Sequence, residues 1–487
     1  MPLILLYIDS DNEIQERFMK YIHCNTGLSG EALSKKILKT LNELCVPIED
    51  CRGQGYDGAG AMSSPNVGVA ACIIQICPLA IYIHCGSHRL NLCIEKACSI
   101  LLARNMIDSS GEITRFFNFS TIRSAHLEKL LSDASASHQK LQDPCRTRWV
   151  ARIESLDDIR QSYTIILTAL EDMAYTSAFN TDTKKDALCL LNSFSSFSYI
   201  VSLVIVSNIM NYTMPLTRIL QERQMDIGKA IFSIQLTKTT IQKLRDNVER
   251  YHKEWYVDSL KIAKDALVPE SMPRTARRQC HRENHDVGVP EDYYRVALTI
   301  PFLDHLIEQL NLRFSDSQVL VYKGLSILPI NVKTVSNWRE NVLSFANKYA
   351  ADLPNMVTLN VELDMWEIIC TQGHLLDSKG NPYKTIRDTL KDARVDPITF
   401  PNILTILKIL AVIPVTSCEA ERSISTLRRA VTWLRSTMKS DRLNGLAAMN
   451  INNDVEVDFD EVIDDFARKY PRRMQFANIL EDECIEE

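Results

Sequence analysis

The residues of this 487-residue chain that could do chemistry are few and far apart. Asp57 closes the run Cys51-Arg52-Gly53-Gln54-Gly55-Tyr56-Asp57-Gly58-Ala59, which reads as a short strand ending in a turn. A carboxylate at a strand end stands where side chains from several strands converge. Read on its own residues it is a turn aspartate, because Asp beside Gly is ordinary turn chemistry. Glu421, near the start of a helical pattern, is by itself a solvated charge or one favoured by the helix N-terminus. Cys85 and His88, in His84-Cys85-Gly86-Ser87-His88, have a spacing found in zinc sites. A structural zinc takes four ligands, however, and no second Cys/His pair lies at an expected spacing nearby. Packing and hydrogen bonding are the expected role of this pair, with His84 incidental. Cys280, His281 and His285 form a weaker metal signal in a polar, basic stretch. Trp149 stands among Arg146, Arg148 and Arg152, a combination able to stack on bases and pair with phosphates; anchoring a helical segment to a core is an equally good use of such a tryptophan.

The elements that must position these residues alternate at first. Leu3 to Ile8 is an apolar run with strand character, and Glu13 to Ile22 a second extended segment. Ser29 to Cys45 carries Leu33, Ile37, Leu38, Leu41 and Leu44 at helical spacing, with Ser29 as N-cap. Gly53, Gly55, Gly58 and Gly60 suggest backbone conformations that other residues avoid. This pattern predicts an α/β layer with a sheet at its centre. From Leu156 to about Ala266 the spacing is helical with hardly any glycine. Pro269 to Pro290 reads as an exposed loop, and Tyr293 to Leu310, Val335 to Ala350 and Val361 to Cys370 as helices. Ile403, Leu404, Ile406, Leu407, Ile409 and Leu410 make a helix apolar on most of its surface, closed by Pro414. Thr416 and Glu419 have capping-box spacing for the next helix. That helix carries the stripe Ile424, Leu427, Val431 and Leu434, and another follows from about Asp441. Arg422, Arg428, Arg429, Arg435, Lys439 and Arg442 make this end locally basic.

Bulk properties narrow the classes. The chain is 46% hydrophobic and 24% charged, ordinary for a folded protein of two or three units. A net charge of -6 gives no global attraction to phosphate, so nucleic-acid contact would have to come from local basic patches. Fourteen cysteines without a CxxC pair favour a reducing compartment. The apolar Pro2 to Ile8 run lacks the basic flank of a signal peptide, and serines and an asparagine interrupt Phe194 to Met210, favouring a core helix over a membrane span. A soluble protein without a membrane partner is expected.

Several segments together resemble the hAT transposase superfamily, in particular its zinc finger MYM-type branch. Cys51 to Ala59 resembles the strand and turn carrying the second catalytic Asp of the ribonuclease-H-like core. His84 to Leu92 is similar to the Cys-x-x-His element that follows. Thr147-Arg148-Trp149 looks like the Arg-Trp motif at the entry to the helical insertion. Phe400 through Pro414, Ser417-Cys418-Glu419-Ala420-Glu421-Arg422-Ser423-Ile424-Ser425 and Arg442 to Ala447 resemble the C-terminal dimerisation region. Pro273-Arg274-Thr275 and Ile300 to Leu306 also fit this branch.

The resemblance implies an α/β fold with an incomplete ribonuclease-H-like core, a large all-helical insertion and a helical C-terminal dimerisation region. The units expected are 1–155 for the N-terminal part of the core, 156–395 for the insertion with an exposed loop near 269–290, 396–455 for the dimerisation region completing the core, and 456–487 for a terminal helix and acidic tail. Enzymes of this kind cut DNA with three carboxylates holding two divalent metal ions. The resemblance assigns the second acid to Asp57 and the third to Glu421. It puts the first on a strand before residue 1, since Leu6-Tyr7-Ile8-Asp9-Ser10 looks like the segment one strand later; Asp9 and Asp11 read as turn residues. The zinc-binding DNA module of the family is likewise expected to be absent. The resemblance also puts Arg148 and Trp149 near a DNA end and makes Ile424, Leu427, Val431 and Leu434 dimer contacts. The expectation is therefore a vestigial, non-catalytic, nuclear protein that associates with itself and contacts nucleic acid, needing no cofactor. The competing expectation is an active hAT transposase, using Mg2+, represented by an N-terminally truncated chain.

Overall fold

The computed structural model describes residues 1–136, 138, 140–142, 149–223, 225–273, 288–314, 319–431 and 437–469. Strands β1 (Pro2–Ile8) and β2 (Ile14–Tyr21) form an antiparallel hairpin running from Pro2↔Tyr21 to Ile8↔Ile14. Asp9 organises its turn: the carboxylate accepts from the backbone N–H of Asp11 at 3.0 Å and Glu13 at 2.8 Å, and from the Gln15 amide at 2.7 Å. These bonds, that from Gln15 foremost, hold the Asp9 carboxyl below its usual range. Helix α1 (Gly30–Glu43) starts where expected, with the Ser29 hydroxyl accepting from Ala32 N–H at 3.3 Å. Its buried Leu33, Ile37 and Leu41 pack with Ile22 and with Val69 and Ile73 of α2 (Val69–Ile76).

Strands β3 (Gly53–Tyr56) and β4 (Ile81–His84) pair in parallel, Gly53↔Ile81 through Tyr56↔His84. The single sheet expected from the sequence is instead two separate two-stranded ladders among the described residues, β1-β2 and β3-β4. Two-stranded ladders are marginal alone, so their stability comes from the helices packed around them. After β4 comes α3 (Gly86–Ala97).

The glycines of β3 have a different cause from the one inferred. None of Gly53, Gly55, Gly58 and Gly60 is among the residues of positive φ. A β-carbon on Gly53 would lie 2.7 Å from Pro414 Cδ and 3.0 Å from Ile413 Cα, and one on Gly55 3.0 Å from Pro414 Cβ. Alternation puts these two glycines on one face of the strand, where the chain just before Pro414 comes too close for a side chain. Gln54 faces the other way, buried, its amide donating to Ala80 O at 3.0 Å and Ala70 O at 3.3 Å.

Helices make up most of the remainder. The apolar stretch near Phe194 to Met210 becomes α4 (Phe197–Asn211), whose Ile200, Val201, Leu203, Val204, Ile205 and Val206 are fully buried. It packs on Leu101–Asn118, Trp149–Gln161 and Val248–Asp265, as a helix apolar all round must be. No single described helix is long and apolar enough to cross a membrane, though Thr181–Phe194 and Phe197–Asn211 pass that test as a pair bent by 67°.

Helix α5 (Pro401–Ala411) is also buried on every side, so its apolar excess is absorbed within this chain and leaves no surface for a partner. The buried Glu362, from Leu359–Thr371, caps it, accepting from Asn402 N–H at 2.9 Å and Ile403 N–H at 3.2 Å. Helix α6 (Cys418–Ala430) follows, then α7 (Ser440–Ile451) and α8 (Phe459–Lys469). The expected Thr416–Glu419 capping box does not form: the N-cap is Ser417, without a side-chain cap. Glu419 is buried and turned away, 2.6 Å from Arg422 Nη1 and 3.5 Å from Arg223 Nε. A reachable pair of guanidinium groups wins over a backbone N–H because charge-assisted bonds are the stronger.

Leu3 to Cys98 and Phe400 to Asn450, expected to close one sheet between them, come into contact through helices and side-chain bonds, and no described strand of the later segment joins either ladder. Tyr21 donates its hydroxyl to Ser423 O at 2.6 Å and its N–H to Asn444 Oδ1 at 2.7 Å. Asn452 bonds Phe18 through both N–H and C=O, and Arg17 reaches Asp454 at 2.7 Å. Phe18 shares a small core with Ala447 and Ile451.

Candidate functional site

The site is built from the junction of β3, β4 and α3 with the start of α6. Asp57 follows the last residue of β3 and is exposed; its Oδ1 accepts from Ala59 N–H at 3.2 Å, and its carbonyl accepts from the Tyr82 hydroxyl at 3.3 Å. Cys85 N–H donates to Tyr56 O at 2.9 Å, extending the ladder to the residue before Asp57. From there the chain enters α3, and two bonds tie this N-terminus to the segment leading into α6. Gly86 N–H donates to Val415 O at 2.8 Å, and Ser417 N–H to Cys85 Sγ at 3.2 Å. Cys418 Sγ–H reaches Leu220 O at 3.3 Å. Glu421 sits in the first turn of α6, exposed.

The result is that Asp57 and Glu421, 364 positions apart in sequence, line one cavity of about 1080 Å³. The whole of β1 lines it, as do β3, Pro414 and Ile424. The two ladders therefore meet across this cavity, β1 from one and β3 from the other. Among the described residues no group of three His, Cys, Asp or Glu side chains could hold a metal ion. Glu16 and Asp50 also line the cavity, while Asp9, just past the end of β1, is bonded into its own turn. The described residues thus do not make up the three-carboxylate set that two-metal chemistry uses.

Cys85 and His88 serve as a strut. The Cys85 thiol is buried, and the adjoining Cys418 sulfur first, with Ser417 beside it, draws it below the usual thiol range against the opposing effect of burial. Its partner Cys418 is pushed up by the same contact. His84 and His88 pack with ring centres 5.3 Å apart and planes tilted by 35°, and a β-carbon on Gly58 would lie 2.8 Å from His84 Cε1. The two imidazoles back the turn that carries Asp57. Burial, aided by Arg89 and His88, lowers His84 to about 4, so it is neutral near pH 7. His84 was expected to be incidental; its sequence signal was its place at the end of β4, opposite Tyr56.

The expected nucleic-acid pair is only partly visible. Trp149 opens the helix Trp149–Gln161, while its side chain and all of Arg148 lie outside the described residues, as do Arg146, Cys280, His281 and His285. Of the expected dimer stripe, Ile424 faces the cavity, Leu427 is half-buried, Val431 is 45% exposed, and Leu434 lies outside the described residues. Arg428, Arg429, Lys439 and Arg442 are exposed. Arg422 instead turns inward to Glu419 and to Gln221 O, and Arg435 is not described.

Two family models match the ends of the chain. Residues 1–68 match the ZMYM1/FAM200 RNase-like domain, and residues 394–455 the hAT family C-terminal dimerisation region. The chain is thus related to hAT transposase-derived proteins and carries their dimerisation region. Over 488 residues it is 26% identical to the 52 kDa repressor of the inhibitor of the protein kinase of Mus musculus, covering 98% of this chain and 63% of that protein. To the Homo sapiens protein of the same name it is 25% identical over 484 residues, covering 98% and 62%. The chain spans a little under two thirds of the length of these relatives.

Proposed function

We propose that this chain works as a non-catalytic, transposase-derived interaction protein that associates with itself through its C-terminal helices, in the nucleus and in contact with nucleic acid. The observation that carries this reading is in the dimerisation region itself. Val431, Leu446 and Met449 are 45%, 39% and 67% exposed there, apolar surface of the kind a monomer hides against a partner. In this reading residues 1–155 are the N-terminal part of a ribonuclease-H-like core, 156–395 the helical insertion, 396–455 the dimerisation region and 456–487 a terminal helix and acidic tail. Asp57 and Glu421 are vestiges of the catalytic set, a reading supported by the cavity they both line and by the lack, among the described residues, of any three His, Cys, Asp or Glu side chains grouped to hold a metal. Arg148 and Trp149, with the exposed arginines of α6 and α7, supply nucleic-acid contact. The relatives' name, a repressor, agrees with a regulatory role.

The test is light scattering of the purified chain at tens of micromolar beside a DNA incubation with Mg2+ or Mn2+. A dimer or higher oligomer, and intact DNA, are expected. A strictly monomeric chain would refute self-association. Metal-dependent strand cleavage abolished by Asp57→Ala would refute the non-catalytic reading in favour of an active transposase.

A further inference from the structure

Helix α8 begins four residues after the matched dimerisation region ends, and it is built unlike its neighbours. Phe459, Val462 and Ile463 recur at i, i+3 and i+4, the spacing of one apolar face. None of its residues is buried; Phe459 is 76%, Val462 51% and Ile463 55% exposed. Eleven residues are too few for a helix to hold in water by its own backbone. A stripe of large apolar side chains therefore has to find cover.

Its other flank is acidic, with Asp460, Glu461, Asp464 and Asp465 all exposed. The α6–α7 face is the converse. Val431 at the end of α6 and Leu446 and Met449 one turn apart on α7 are exposed apolar residues on two helices that pack together, bordered by Arg428, Arg429, Lys439 and Arg442. The chain leading into α8 is fixed, since Asn452 and Asp454 are bonded to Phe18 and Arg17.

We propose that α8 is the arm of a reciprocal dimer contact, its apolar stripe laid on the α6–α7 face of a second copy and its carboxylates paired with that copy's arginines. A twofold axis makes this contact twice, each copy giving one arm and receiving one. The second copy is the occupant because α8 continues directly from the dimerisation region and the charges on the two surfaces are opposite. The proposal rests on the self-association argued above and assigns it a surface outside the stripe Ile424 to Leu434.

Sedimentation equilibrium of the full chain tests it. Val462→Asp/Ile463→Asp should raise the dimer dissociation constant at least about tenfold, with circular dichroism unchanged because no buried residue is touched. A charge reversal, Arg428→Glu/Arg442→Glu, should weaken the dimer, and combining it with Asp460→Arg/Asp464→Arg should recover it. A wild-type chain that is monomeric fails at the level of self-association. A wild-type dimer whose constant the α8 variant leaves unchanged overturns the arm alone. Loss with the α8 variant but indifference to the charge reversal overturns the assigned face.

Discussion

Replacing Gly53 by alanine isolates the contact that brings β3 against the segment before α6. The added methyl would stand 2.7 Å from Pro414 Cδ and 3.0 Å from Ile413 Cα, a backbone atom. Neither the proline ring nor the backbone can rotate out of the way, so β3 and the 412–414 segment must separate. Overpacking of this kind costs about 1–3 kcal/mol, and the stiffer unfolded chain returns about 0.4–1 kcal/mol. A net loss of about 1–2 kcal/mol follows. Gly60→Ala is the matched control, because nothing lies within 4 Å of its β-carbon and its φ is not positive; its effect should stay within about 0.5 kcal/mol. Urea titrations followed by circular dichroism, with the midpoint shift multiplied by the slope, read both. If Gly53→Ala is as stable as wild type while Gly60→Ala is not, the glycines of β3 are there for some other reason than close approach.

Acid should destabilise the helical core through His252. It is fully buried, with Nε2–H donating to Glu291 O at 2.9 Å and Nδ1 accepting from the Thr299 hydroxyl at 2.8 Å, and burial lowers it to about 4 from an ordinary 6.5. The unfolded chain therefore takes up this proton first. Its stabilising contribution is whole above pH 6.5 and drains as pH falls toward 4, by about 3 kcal/mol; denaturation midpoints from pH 7.5 to 4 should show a slope that His252→Gln flattens. For DNA, the four exposed cations Arg428, Arg429, Lys439 and Arg442 allow about four phosphate contacts, so log K against log salt should fall with a slope of about −4 or shallower. One duplex held far more tightly than scrambled competitors at physiological salt would contradict binding by such a patch.

What the sequence made legible was local. Ser29 as a cap, the stripe of α1 and the all-round burial of α4 and α5 follow from spacing within a few turns of chain. What it hid depends on groups that arrive from far away. Gly53 and Gly55 look like flexible turn glycines until Pro414 is laid against them. Glu419 looks like a capping residue until Arg223 comes within reach. That Asp57 and Glu421 line one cavity has no local signal in the sequence, since nothing near either residue announces the other. The resemblance could not divide the stripe of α6, where Ile424 went to the cavity and Val431 to the surface.

The bonds from the β1-β2 hairpin to the C-terminal helices carry a consequence for biosynthesis. Phe18 waits for Asn452, 434 residues later in the chain. At roughly 5–20 residues per second, a ribosome needs about 20–90 s to deliver that partner. Through that interval the hairpin has neither its small core of Ala447 and Ile451 nor the hydrogen bonds that hold Tyr21. The hairpin is made long before the residues that complete it, and a premature stop anywhere before α7 leaves it without Ala447, Ile451 and the bonds from Asn444 and Asn452.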